Sequence, residues 1–117
     1  MKQSILRLSL LVVCAGMLAG CSTTGSWSVV SSKLCRVSDF DLEKVDRKAT
    51  YGEDVCHFFL GIPLGSRANV KEALDHALEQ GGGDVLTDAR SKYWHWTIIL
   101  YGQEGWSWKG DAVKTRN

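Results

Sequence analysis

The chain has 117 residues, of which 14 are Lys or Arg and 13 are Asp or Glu, giving a formal net charge of +1 with histidine neutral. That length suits one small domain with a modest core and is too short for two. The even charge balance leaves no basic field of the kind that draws nucleic acid.

The first segment has the three parts of a secretory signal: Lys2 and Arg7 as a charged end, an apolar stretch from Leu8 to Leu18, and small residues before Cys21. An apolar run of about ten residues falls well short of the roughly 20 that span a bilayer as a helix. Leu18-Ala19-Gly20-Cys21 closely resembles the lipobox of bacterial lipoproteins. The resemblance implies that the cysteine thiol is diacylated, that residues 1–20 are removed as a signal peptide, and that Cys21 becomes the lipidated first residue, its new amino terminus acylated as well by a fatty acid such as palmitate. No cofactor is expected beyond that covalent lipid. In this group Asp after the cysteine retains the protein at the inner membrane of enteric bacteria, so Ser22 implies the periplasmic face of the outer membrane. Residues 21–26 are expected to be the lipidated anchor with a short tether; its five residues Ser22 to Ser26 reach at most about 18 Å when extended.

Residues 27–117 are then a single periplasmic domain, with 12 basic against 13 acidic residues once Lys2 and Arg7 leave. Cys14 leaves with the signal peptide and Cys21 takes lipid, so Cys35 and Cys56 remain. Two thiols in an oxidising compartment and a small core point to a disulfide, worth roughly 3–4 kcal/mol in the chain-entropy model. A metal site built from Cys35, Cys56 and His57 is disfavoured, since the spacing matches no paired-ligand motif.

Trp27 to Ser31 and Val55 to Leu60 read as strands, the latter apolar enough to be central. The charged stretch from Arg36 to Tyr51 reads as a loop or short helix closed off by the disulfide, and Gly61-Ile62-Pro63-Leu64-Gly65 as a turn. Val70, Ala73, Leu74, Ala77 and Leu78 form the stripe of one helix over about residues 70–80. Asn69 caps it, Glu72 completes a capping box, and Gly81 can stop it in the left-handed conformation. The run Gly81-Gly82-Gly83 follows that helix, whereas a phosphate loop precedes one.

Asp84 to Ala89 and Trp94 to Tyr101 read as two further strands. Gln103-Glu104-Gly105 suits a three-residue hairpin loop, setting Gly102 opposite Trp106, Leu100 opposite Trp108, Ile98 opposite Gly110 and Trp96 opposite Ala112. Trp94, Trp96, Trp106 and Trp108 then share one face; a two-residue loop would put the two pairs on opposite faces. The expected fold class is α+β, an antiparallel or mixed sheet with one covering helix and a C-terminal β-hairpin.

The four tryptophans are the candidate binding residues; filling a small core is the bland reading and the favoured one for most of them. No nucleophile stands beside a base, and no helix carries metal-spaced histidines. His57, His76 and His95 read as structural or surface residues, and Asp39, Asp41 and Glu43 as a solvated loop. From Gly61 to Val113 the chain is similar to the small envelope lipoproteins called TRL-like. The points of likeness are Leu60-Gly61-Ile62-Pro63-Leu64-Gly65, a helix ending in glycines, Tyr101-Gly102, and Lys109-Gly110-Asp111-Ala112-Val113. That resemblance implies no known activity. The expectation is a non-catalytic lipoprotein that binds, scaffolds or senses in the cell envelope, held to the membrane by lipid and partnered by an envelope protein. The alternatives are a peptidoglycan- or glycan-binding module using tryptophans and an accessory subunit of a larger envelope complex.

Overall fold

The computed structural model describes residues 1–16, 18–34, 36 and 46–115. Helix α1 (Lys2–Gly16) is followed by β1 (Leu18–Val30), β2 (Lys48–Phe59), β3 (Ile62–Pro63), α2 (Val70–Gly81), β4 (Val85–Ile98) and β5 (Tyr101–Val113). The strands form one antiparallel sheet in the order β1-β4-β5-β2-β3. The α+β class, the single covering helix and the C-terminal hairpin are as expected.

The covering helix forms where its apolar stripe lies. Asn69 caps it, its side chain accepting from the Lys71 amide at 2.8 Å, while the Asn69 amide donates to Asp54 Oδ2 at 2.8 Å. Ala73, Leu74, Ala77 and Leu78 are buried against Leu86, Ala89, Trp108 and Ala112 of the sheet. Two hydrogen bonds fix the docking: Trp108 Nε1 donates to the Val70 carbonyl at 3.0 Å, and Thr50 Oγ1 to the Ala77 carbonyl at 2.7 Å. Gly52 lets the helix backbone come so close, because a Cβ there would lie 2.2 Å from Ala77 N. The helix stops one residue later than expected, at Gly82 (φ 67°) rather than Gly81. Gly81 is the last helical residue, and it is glycine for space, since a Cβ on it would fall 2.2 Å from Ala112 Cβ.

The hairpin register differs from the expected one. Ile98 pairs with Tyr101, so the turn is the two residues Ile99 and Leu100, and Gln103-Glu104-Gly105 lies inside β5. Gly102 and Gly105 are glycine for space rather than for turning: a Cβ at Gly105 would meet the Trp94 ring at 2.4 Å, and one at Gly102 the Trp96 carbonyl at 2.8 Å. Trp106 consequently faces Tyr93 and Trp108 faces Ser91, on the helix side, while Trp94 and Trp96 project from the other face. The two strands expected over 84–101 are one, β4, broken only by a bulge between Thr87 and Arg90 where Asp88 has φ 49°. β1 begins at Leu18, so residues 21–26 are not a free tether; backbone pairing with β4 holds Cys21 opposite His95 and Ser26 opposite Arg90. β2 starts at Lys48, inside the stretch expected as loop or short helix, and pairs with β5 along its whole length.

Two turns at one end of the sheet break the usual turn chemistry. Leu60 (φ 53°) and Gly61 (φ 77°) join β2 to β3, and Ile99 (φ 52°) starts the β4–β5 turn. Left-handed backbone costs an L-residue roughly 1–2 kcal/mol, and glycine or asparagine would be the ordinary choice. The two turns are tied together where the Leu60 amide donates to the Leu100 carbonyl at 2.6 Å.

Candidate functional site

Two regions combine exposure with a chemistry the core does not need. The first is the end of the sheet where the chain enters. Cys21 is exposed on edge strand β1. Three residues before it, Leu18 pairs with Ile98, at the level of the two irregular turns. Phe59, Leu60, Ile62, Leu64, Ile98, Ile99, Leu100 and Tyr101 are all exposed there, Ile99 to 70%. Just inside this rim on the uncovered face, His57 Nδ1 and the Tyr101 hydroxyl share a short hydrogen bond, and Gln103 Nε2 reaches Tyr101 Oη at 3.2 Å. The Trp96 ring stands edge-on to Tyr101, centroids 5.7 Å apart. Helix α1 leads into β1 at this same end; among the described residues no helix is long and apolar enough to cross a membrane.

The second region is a shallow groove of about 510 Å³ on the sheet face opposite α2. Its useful groups are Tyr51, Trp94, Arg90, Lys92 and Lys109, with hydroxyls from Thr24, Ser26 and Ser107. Arg90 and Lys109 are direct cross-strand partners, an unfavourable like-charge pair that an anion between them would relieve. Tyr51 donates to Glu53 Oε2 at 2.6 Å, and this bond, more than its burial, raises the phenol above its ordinary value of 10.0.

The four candidate tryptophans are therefore split. Trp108 is core, 4% exposed, and Trp106 is half-buried beside it with its ring 4.9 Å from that of Tyr93. Trp94 lines the groove and Trp96 belongs to the rim; both are half-buried. Trp27, not among the candidates, is 52% exposed yet packs 6.3 Å from Trp108 and donates to Ser91 Oγ at 3.1 Å. Of the histidines, His57 sits at the rim, His95 lies edge-on to Phe58 at 6.5 Å, and His76 bonds the Glu53 carbonyl at 2.9 Å. That carbonyl is the main reason the His76 imidazole titrates above its ordinary 6.5.

Cys56 is a free thiol buried to 2% exposure, 3.5 Å from the His57 carbonyl; Cys35, its expected disulfide partner, lies outside the described residues, as do Asp39, Asp41 and Glu43. Among the described residues no three His, Cys, Asp or Glu side chains cluster as a metal would require. The apolar rim and the basic groove both escaped the sequence reading. The rim had a visible signal in the unbroken apolar run Ile98-Ile99-Leu100-Tyr101 next to a glycine, whereas the groove depends on register and had none. Comparison with known protein families, curated proteins and solved structures finds no match to this chain.

Proposed function

We propose that this chain is a lipid-anchored envelope protein, acylated at Cys21 and held at the periplasmic face of an outer membrane, whose domain works by binding rather than by chemistry. The observation that carries the reading is Leu18-Ala19-Gly20-Cys21 directly behind a basic and apolar leader. The fold is compatible with the processing this requires. Cleavage before Cys21 removes three residues from an edge strand, and among the residues whose burial is described the buried ones all come from Thr50 onward. Two or three acyl chains, at roughly 0.8 kcal/mol per buried methylene, give a lasting anchor where one is marginal. A disulfide between Cys35 and Cys56 belongs to the same reading, because export places both thiols in an oxidising compartment. The test is the mass of the protein from cells grown with and without an inhibitor of lipoprotein signal peptidase. A lipidated chain starting at Cys21, replaced under inhibition by the uncleaved precursor, is expected; an unacylated Cys21 in untreated cells overturns the reading.

A second reading, that the domain holds peptidoglycan or a related anionic glycan, is favoured by the groove. Trp94 and Tyr51 offer flat surfaces for sugar rings, and Arg90, Lys92 and Lys109 offer charge for carboxylates. Sedimentation with purified sacculi tests it: Arg90→Glu with Lys109→Glu should abolish binding, and equal sedimentation of variant and parent defeats it.

A further inference from the structure

We infer that the apolar rim formed by the β2–β3 and β4–β5 turns is a membrane-contact surface that lies in the lipid interface beside the anchor, so that the sheet stands with this end on the bilayer. The inference rests on the reading of Cys21 as the anchor. Four observations carry it. The register puts Cys21 three residues from the level of Ile98, about 10 Å at 3.3–3.4 Å per residue. An amphipathic surface settles about 5–10 Å into the boundary between headgroups and acyl chains, so lipid on Cys21 and an immersed rim fit one membrane. Second, Leu60, Ile62, Leu64, Ile98, Ile99 and Leu100 are exposed as one group at this end. Third, none of the segments 18–34, 55–67 and 93–103 contains Asp or Glu, whereas Arg67 lies at the rim with its guanidinium 5.8 Å over the Phe58 ring. Glu104, the one carboxylate lining the pocket beside Arg67, is mostly buried and lies 3.9 Å from Arg67 Nε, so it is paired rather than turned toward an anionic bilayer. Fourth, Tyr101 and Trp96 stand just inside the rim, where amphipathic rings meet the headgroup level of a membrane.

Removal of Leu18–Gly20 adds to this geometry. It leaves the backbone of β4 from Trp96 to Ile98 without its strand partner, free to bond water and lipid headgroups at the level where the acyl chains leave Cys21. The occupant we assign is a lipid surface beside the anchor's own chains, and a second copy or a protein partner is the alternative that the experiment would return.

The experiment uses the full chain expressed in a bacterium that processes lipoproteins, with a diazirine-bearing residue at Leu100 or, as control, at exposed Glu79 on α2. After illumination, adducts are identified by mass, phospholipid adducts being distinguished from links to the protein's own acyl chains. Phospholipid adducts at Leu100 in several-fold excess over Glu79 are expected. Ile99→Gly with Leu60→Asn, which suits both turns and preserves folding, should lower that excess. Protein adducts alone at Leu100, or yields equal to those at Glu79, overturn the inference. Acylation of Cys21 is measured on the same material, separating the two readings. Acylated Cys21 with a silent Leu100 removes the rim contact and leaves the anchor; unacylated Cys21 with phospholipid adducts at Leu100 removes the anchor and supports the rim contact alone.

Discussion

Gly52→Ala should be among the most damaging single-methyl changes available in this domain. The added Cβ would lie 2.2 Å from Ala77 N, 2.4 Å from Ala73 O and 2.8 Å from Ala77 Cα, all backbone atoms of α2 that no rotamer change can clear. Bringing the shortest of these to an ordinary contact near 3.4 Å moves the helix off the sheet by roughly 1 Å, and a gap of 0.5–1 Å already forfeits about a quarter to a half of each dispersion contact. The contacts at stake are those of Ala73, Leu74, Ala77 and Leu78, with the Thr50 and Trp108 hydrogen bonds to the same helix. Overpacking costs about 1–3 kcal/mol, and a rigid backbone clash belongs at the upper end. At about 4–8 °C per kcal/mol for a domain of this size, roughly 3 kcal/mol lowers Tm by about 12–24 °C. Thermal and urea unfolding of parent and variant measure it. Gly61→Ala is the control, since its Cβ meets nothing within 4 Å and only the left-handed φ of 77° is penalised, at about 1–2 kcal/mol. A Gly52→Ala protein as stable as the parent would refute the close packing of α2 on β2.

Trp108→Phe removes the bond to the Val70 carbonyl and leaves part of a buried site empty, so a loss of about 2–3 kcal/mol is expected in urea unfolding, against little change for Trp94→Phe. Asp84 accepts from the Thr115 hydroxyl at 2.9 Å and amide at 3.2 Å, and these bonds, ahead of Lys33, hold its carboxyl below the ordinary 3.8. The stabilisation is therefore present above pH 3.8 and lost as pH falls through the lower folded value. Asp84→Asn should be less stable than the parent at neutral pH and converge with it in acid, and a stability gap that is flat with pH would count against the assignment. For the cysteines, alkylation of the denatured mature protein without reductant should label neither Cys35 nor Cys56, and labelling of both would exclude the disulfide.

Helix α2 was legible because everything that makes it is local. A 3-4 stripe, an asparagine cap and a glycine stop act within a dozen residues; only the choice of Gly82 over Gly81 as the stop was not legible, because Gly81 is glycine for the space that Ala112 takes. Strand existence was legible for the same reason, while register was not. Gly102 and Gly105 carry the same letter whether glycine turns the chain or makes room for the Trp96 carbonyl and the Trp94 ring, and only the folded sheet tells these apart. Since the side-chain period in a strand is two, moving the turn from residues 103–105 to Ile99 and Leu100 separated the tryptophan pairs onto opposite faces. The basic groove was invisible for that reason, as Arg90 meets Lys109 only in the observed pairing.

Places where sequence rules fail deserve separate weight, because natural chains tend to be locally consistent except where function intervenes. Here the failures coincide in space. Leucine and isoleucine occupy left-handed turn positions that glycine or asparagine would fill at lower energy, and exposed apolar side chains crowd one end of a sheet whose other solvent-facing positions include Lys92, Lys109 and Glu53. Folding alone rewards neither feature. Both lie at the end where β1 begins, within three residues of Cys21 in register, and that coincidence was set by which end of the edge strand the leader joins. Had β1 paired with β4 in parallel, the cysteine would stand at the opposite end and the apolar turns would point away from any lipid it carried. Antiparallel pairing of β1 on β4 is thus the link on which the proposed anchor and the proposed rim contact would share one membrane.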